Sequence, residues 1–272
     1  MKVVERSDDL PFPWQGECGF VPTMGALHKG HEALLKRSRE ACDVSVASIF
    51  VNPLQFAPTE DFSKYPRTFD DDLKLCESTG VDFVYVPKAE DLVGEIATKI
   101  TVGPIGDVLE GASRPGHFDG VATIVTKLFN IVRPDQAFFG LKDLQQCAVI
   151  AQLVQDLNFN IRLEFVETVR EEDGLALSSR NRYLSSDTRK LAPELARTLF
   201  GLRDKLRESG DAEALLNEAK SSLASQGFEV DYLMVVDPAT MLPAEEIEAS
   251  SRIVAAVRLE GTRLIDNMPI FY

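Results

Sequence analysis

Gly19-Phe20-Val21-Pro22-Thr23-Met24-Gly25-Ala26-Leu27-His28-Lys29-Gly30-His31, residues 19–31, decides how the chain is read. Its first four residues close a short apolar strand. Residues 31–41 follow as a helix, with Ala33, Leu34, Leu35 and Ala41 on the apolar side. Between them lies a turn bracketed by Gly25 and Gly30. A strand rich in β-branched residues comes next, Val44-Ser45-Val46-Ala47-Ser48-Ile49-Phe50-Val51. Strand, turn, helix and strand make the unit from which parallel sheets are wound, and the turn falls at the sheet edge where ligands bind.

The same rhythm extends in both directions. Thr68 begins a helix with Asp70, Asp71 and Asp72 in its first turn, where the helix dipole favours acids. Residues 81–86 form a strand that stops at Pro87, and residues 117–132 a helix that stops at Arg133-Pro134. A short strand at 136–139, a helix at 143–157 and a strand at 161–166 complete the series. The pattern predicts an α/β fold, a doubly wound parallel sheet with helices on both faces. It then changes: residues 186–208 read as one long helix, 212–226 as another, with strands at 230–236, 252–257 and 263–265. The expectation is a domain over residues 1–167 and a smaller α+β C-terminal domain over 168–272, able to close on the first like a lid.

The 272 residues are 44% hydrophobic and 26% charged, the composition of an ordinary soluble protein. Lysine and arginine number 29 against 43 acids, a net charge of −14, which disfavours nucleic acid and anionic membranes as partners. No apolar run has the length of a membrane span. The segment Met1-Lys2-Val3-Val4-Glu5-Arg6-Ser7-Asp8-Asp9 lacks the apolar core of a signal peptide. Cys18, Cys42, Cys76 and Cys147 form no CxxC pair and read as buried free thiols of a reducing, cytoplasmic compartment. A polyanionic ligand on so acidic a chain needs a local basic island.

Four stretches carry chemistry. In the first turn, His28 and His31 are three residues apart and can face one phosphate group at a helix N-terminus. The second stretch, Asn52-Pro53-Leu54-Gln55-Phe56, leaves the second strand at its C-terminal end; Gln55 is a neutral hydrogen-bonding group between two apolar neighbours, or an ordinary loop glutamine. The third joins Arg114-Pro115-Gly116-His117 to Gly140-Leu141-Lys142-Asp143-Leu144-Gln145-Gln146. Lys142 can neutralise triphosphate charge; Asp143 reads equally as a helix N-cap or as an acceptor of ribose hydroxyls; Gln146 lies one helical turn further on. The fourth is Val169 with Leu177-Ser178-Ser179-Arg180-Asn181-Arg182, two hydroxyls and a guanidinium suited to a leaving pyrophosphate.

His-x-Gly-His in such a turn resembles the nucleotidyltransferase superfamily, whose members attack the α-phosphate of a nucleoside triphosphate in a Rossmann-like domain. The ordered motifs together, from Phe20 to Thr262-Arg263-Leu264-Ile265-Asp266-Asn267, resemble the pantothenate synthetase (pantoate–β-alanine ligase) family. That resemblance implies ATP-dependent joining of D-pantoate and β-alanine through a pantoyl adenylate, with Mg2+ and a homodimeric assembly. It implies that Met24, Gly25, Ala26, Leu27, His28, Lys29, Gly30 and His31 bind ATP, with His31 the proton donor. Gly140, Leu141, Lys142, Asp143, Val169, Leu177, Ser178, Ser179 and Arg180 would complete the ATP site; Gln55 and Gln146 would hold pantoate, and Gln55 β-alanine as well. His28, His31, Lys142 and Arg180 are the catalytic set so implied. No magnesium ligands are read from the residues.

The chain departs from the family at Leu141 and Leu144, where a glutamate and a tyrosine are usual, at Leu177 for methionine, and in its short proline-containing segment before Phe20. Another nucleotidyltransferase would share His-x-Gly-His without needing Gln55, Gln146 or the Ser-Ser-Arg-Asn-Arg run. An inactive nucleotide sensor would not be held to keep both histidines, Lys142 and Arg180, all of which are present.

Overall fold

The structure, a computed structural model, describes residues 1–57, 62–208 and 211–271. The chain divides into two compact units. One comprises Met1–Gly140 and Val149–Glu167, the other Leu141–Ala148 and Thr168–Tyr272.

The first unit is built on a six-stranded sheet in the order β1-β4-β3-β2-β5-β6, every pair parallel. Its strands are β1 (Lys2–Val4), β2 (Cys18–Thr23), β3 (Val44–Ile49), β4 (Phe83–Tyr85), β5 (Gln136–Gly140) and β6 (Arg162–Val166). The helices along this part of the chain are α1 (Lys29–Ala41), α2 (Phe69–Ser78), the short α3 (Ala89–Leu92) and α4 (Glu110–Ser113), α5 (His117–Val132) and α6 (Leu144–Asp156). From β2 the chain moves outward through β3 to β4, then returns to the other side of β2 for β5. The reversal between β2 and β5 opens the crevice that parallel sheets use for ligands. β2 and β3 are flanked on both sides, so they read as nearly continuous buried runs containing Phe20, Val21, Val46 and Ala47.

β1 precedes the strand that the sequence reading counts as first. Three residues are too few to show a period, and the strand exists because Lys2–Val4 pairs with Phe83–Tyr85. The proline-containing segment after it is tied down by Trp14, whose Nε1 donates to the Val132 carbonyl at 2.8 Å.

The second unit contains α7 (Ser186–Leu191), α8 (Pro193–Glu208), α9 (Ala212–Ser225) and an antiparallel sheet of β7 (Glu229–Val236), β8 (Arg252–Leu259) and β9 (Thr262–Pro269), in the order β7-β8-β9. Leu195, Leu199, Leu202 and Leu206 line one face of α8 and pack in a core that includes Leu233, Ile253, Ala255 and Val257. Two expectations are corrected here. The single helix over 186–208 is two helices, because Pro193 has no N–H to donate to the preceding turn and opens α8 instead. The last strand runs to Pro269 rather than stopping at Ile265. Asp266-Asn267 resembles a turn in sequence, but pairing with β8 continues through both residues. Glu260 and Gly261, at φ +46° and +80°, make the two-residue turn between β8 and β9. Among the described residues, no helix is long and apolar enough to cross a membrane.

Candidate active site

The turn after β2 closes on itself. His28 caps α1: its ring Nδ1 accepts the Gly30 N–H at 3.1 Å, and its own N–H donates to His31 Nδ1 at 3.3 Å. This is a reciprocal capping box in which two histidines replace the usual hydroxyl and carboxylate. The rings lie 4.2 Å apart between centroids. With both Nδ1 atoms accepting from backbone, each neutral imidazole carries its proton on Nε2. The pair is therefore set to offer Nε2–H donors to anionic oxygens. Gly30 makes room for this arrangement, since a Cβ there would sit 2.9 Å from His28 Cε1.

Before the cap, Gly25 and Ala26 take positive φ values of +81° and +50°. Such a turn points successive backbone N–H groups the same way, and they need an acceptor. Asp72, on α2, supplies one. Its carboxylate accepts from Ala26 N at 3.0 Å, Leu27 N at 2.8 Å and Thr68 Oγ1 at 3.0 Å, and the residue is 2% exposed. Asp71, by contrast, is exposed and pairs with Lys74. Sequence reading left these two acids as equivalent first-turn residues. The Thr68 hydroxyl and, over more than forty residues, the N–H groups of Ala26 and Leu27 set Asp72 apart.

Thr23 and Ile49 are register partners at the ends of β2 and β3, so the loop carrying Gln55 leaves the same sheet edge as the histidine turn. Asn52, 2% exposed, organises that loop. Its Nδ2 donates to Gln55 Oε1 at 3.0 Å and to the Gly120 carbonyl at 3.1 Å, while its Oδ1 accepts from Leu54 N at 3.0 Å. Gln55 thus accepts through Oε1, and Nε2 is the donor end of its amide. His117 Nδ1 lies 2.9 Å from the Gln55 carbonyl, and Arg114 donates to the same carbonyl at 3.3 Å. Carbonyls only accept, so His117 carries its proton on Nδ1, leaving Nε2 to accept from Arg114 at 3.1 Å. A Cβ on Gly120 would lie 2.2 Å from the Leu54 carbonyl oxygen, so α5 and this loop meet at bare backbone. Arg114 and His117, undecided from sequence, both act on the main chain of Gln55.

In the second unit, a 3-10 turn (Leu141–Asp143) leads into α6. Lys142 Nζ lies 3.3 Å from Asp143 Oδ1, with the lysine side chain 17% and the aspartate 51% exposed. Leu144, one of the departures from the family, is buried, whereas Gln146 is partly accessible. Val169 accepts from Leu177 N at 3.0 Å, and Arg170 bridges Ala176, so the intervening residues form a tight hairpin. Glu171 and Asp173 both bind Arg189, and Asn181 donates to Glu171 at 3.1 Å and to the Ala176 carbonyl at 3.1 Å. Ser178 caps the 3-10 helix Ser179–Tyr183 by accepting from Arg180 N at 3.2 Å, and the Arg180 side chain is exposed.

The first unit thus gathers residues 24–31 and Gln55 at one sheet edge. The second carries Leu141–Asp143, Gln146, Val169 and residues 177–180. Sequence reasoning missed Asn52 and left Asp72 undecided. All four cysteines are buried free thiols. Burial pushes Cys42 and Cys76 up to about 11 and raises Cys18 and Cys147 further, so none is a nucleophile at neutral pH. Among the described residues, no group of three or more His, Cys, Asp or Glu side chains is placed to hold a metal ion.

Comparison with known proteins gives concordant findings. The sequence model of the Pantoate-beta-alanine ligase family matches residues 6–269. A pantothenate synthetase of Acinetobacter baumannii is 48% identical over 256 residues, covering 93% of this chain and 90% of that protein. The crystal structure of pantothenate synthetase from Thermus thermophilus superposes with a TM-score of 0.96 at 45% identity, covering all of both chains. A pantoate-beta-alanine ligase from Francisella tularensis, solved with beta-gamma ATP and beta-alanine, gives 0.79 at 33% identity over 99% of this chain and 98% of that one.

Proposed function

The chain belongs to the pantoate-beta-alanine ligase family, and from that premise we propose that it condenses D-pantoate with β-alanine, converting ATP to AMP and pyrophosphate. The observation that carries the reading is family membership over nearly the whole chain together with the capped pair His28 and His31.

A carboxylate is a poor acyl donor because its leaving group would be oxide. A pantoate carboxylate oxygen attacks the α-phosphorus of ATP, the bond to the β-phosphate oxygen breaks, and pyrophosphate departs. The β-alanine amine then attacks the acyl carbon of the pantoyl adenylate, AMP leaves with the bonding pair, and the amine gives up a proton. Magnesium would be carried by the nucleotide, whose oxygens are hard ligands, and would supply charge neutralisation there. The protein's work is positioning and charge stabilisation. His28 and His31 donate Nε2–H hydrogen bonds to phosphate oxygens, with His31 stabilising the charge that builds up on the leaving pyrophosphate. The backbone of residues 24–30 and residues 140–143 contact the nucleotide. Lys142 and Arg180 neutralise triphosphate charge, and Ser178 and Ser179 add hydroxyl donors with Val169 and Leu177 alongside. Gln55 holds pantoate and β-alanine through Nε2, and Gln146 holds pantoate. The reading includes a homodimer in the cytoplasm.

ATP–pyrophosphate exchange with magnesium and D-pantoate, β-alanine omitted, tests the reading. Exchange that depends on pantoate establishes the adenylating half-reaction and its acid together. Exchange with a different acid in place of pantoate would replace the substrate assignment, and no exchange with any acid would overturn the proposed reaction.

A further inference from the structure

The segment Asp266-Asn267 near the end of β9 has no part in the proposed reaction, yet both residues are 3% exposed, an unusual burial for adjacent polar residues of one strand. Successive strand residues point to opposite faces, so the two reach different segments. Asp266 takes a bidentate pair from Arg170, with Arg170 Nη1 at 2.6 Å and Nη2 at 2.9 Å, and also accepts from Asn267 N at 2.8 Å. Arg170 in turn donates to the Asn267 carbonyl at 3.3 Å and to the Gly174 carbonyl at 3.1 Å. Both backbone groups of Asn267 are thereby engaged.

Its side chain then does one thing. Asn267 Nδ2 donates to the carbonyls of Leu141 at 2.7 Å and Lys142 at 3.1 Å, while Oδ1 accepts from Arg252 Nε at 3.1 Å. Two carbonyls can only accept and a guanidinium can only donate, so the amide has one allowed orientation. A turn of three residues has few internal bonds to fix it, and here two of its carbonyls are held by a residue more than 120 positions away.

We propose that Asn267 is a positioning residue for the adenylating step: it fixes the main chain of the Leu141–Asp143 turn and so aims Lys142. The inference rests on the reading of Lys142 as a phosphate-neutralising group. Asn267→Asp keeps the size and the acceptor for Arg252 but sets an oxygen against two carbonyl oxygens.

The test is a cycle of Asn267→Asp and Lys142→Ala in the full chain, read by pantoate-dependent ATP–pyrophosphate exchange and by thermal unfolding. Asn267→Asp alone should lower exchange about 10²-fold, the scale of a misplaced catalytic group, with the pantoate KM unchanged. Added to Lys142→Ala, it should cost less than about twofold more, because the group it aims is gone. Equal losses in both backgrounds, or native exchange in Asn267→Asp, would overturn the proposal while leaving Lys142 its role. Native exchange in Lys142→Ala alone would overturn the reading of Lys142 and the proposal with it. If Asn267→Asp does not fold, Asn267→Ser, which keeps one donor and adds no charge, enters the same cycle with the same readings.

Discussion

Two turns carry most of the cationic and hydrogen-bonding groups assigned to the nucleotide, and they are held in opposite ways. Residues 24–31 close by contacts within four positions, His28 with Gly30 and His31, and also take the Asp72 carboxylate from α2. Leu141–Asp143 takes the bonds to two of its carbonyls from Asn267, at the far end of the chain. A turn that caps itself is written in a motif a few residues long. A turn held from a distance is written in two places that only folding connects.

Substituting one cation or donor from each turn gives the largest expected effect. His31→Ala and Lys142→Ala should each lower pantoate-dependent exchange about 10²–10³-fold while the chain stays folded by circular dichroism. If only one falls, the two turns do not share the chemistry and the comparison breaks.

Asp72→Ala strikes a remote support of the histidine turn and leaves the N–H groups of Ala26 and Leu27 without their acceptor. Urea unfolding should show a loss of about 2–4 kcal/mol. Asp71→Ala, at an exposed site, should stay within about 0.5 kcal/mol of the parent. Equal losses would remove Asp72 as a support of the histidine turn.

Gln55→Ala sharpens the contrast between phosphate and acid recognition. The pantoate KM should rise about tenfold, the worth of one good hydrogen bond to a charged group, with little change in the ATP KM. Parallel rises in both would count against the assigned role.

The last contrast is one of pH. Burial, followed by the negative charge of Asp72, pushes the Cys76 thiol up to about 11. A folded value above the unfolded one means that this contribution is complete below the unfolded value, about 8.5, and is lost as pH rises from there toward 11. Stability measured between those limits should decline less in Cys76→Ser, and identical declines would remove the thiol as the cause.

The parallel sheet was legible because its strands are apolar runs separated by helix periods, and α5 was read with its observed bounds, residues 117–132. His28 and His31 stood out because two of three histidines fall within one glycine-bracketed turn. β1 was invisible, since Lys2-Val3-Val4 is a strand only when Phe83–Tyr85 lies beside it. Asn52 hid because each of its three bonds is ordinary, and its importance comes from their meeting in one buried side chain.

By itself, then, the sequence determined the α/β class and the family, because hydrophobic period and the order of short motifs are local properties of the chain. Only the tertiary structure decided that Asp72 rather than Asp71 supports the histidine turn, that Arg114 and His117 act on the main chain of Gln55, and that Asn267 holds the backbone of Lys142. These are buried polar contacts between residues far apart in the chain. A buried donor or acceptor must find a partner, and folding alone chooses which one.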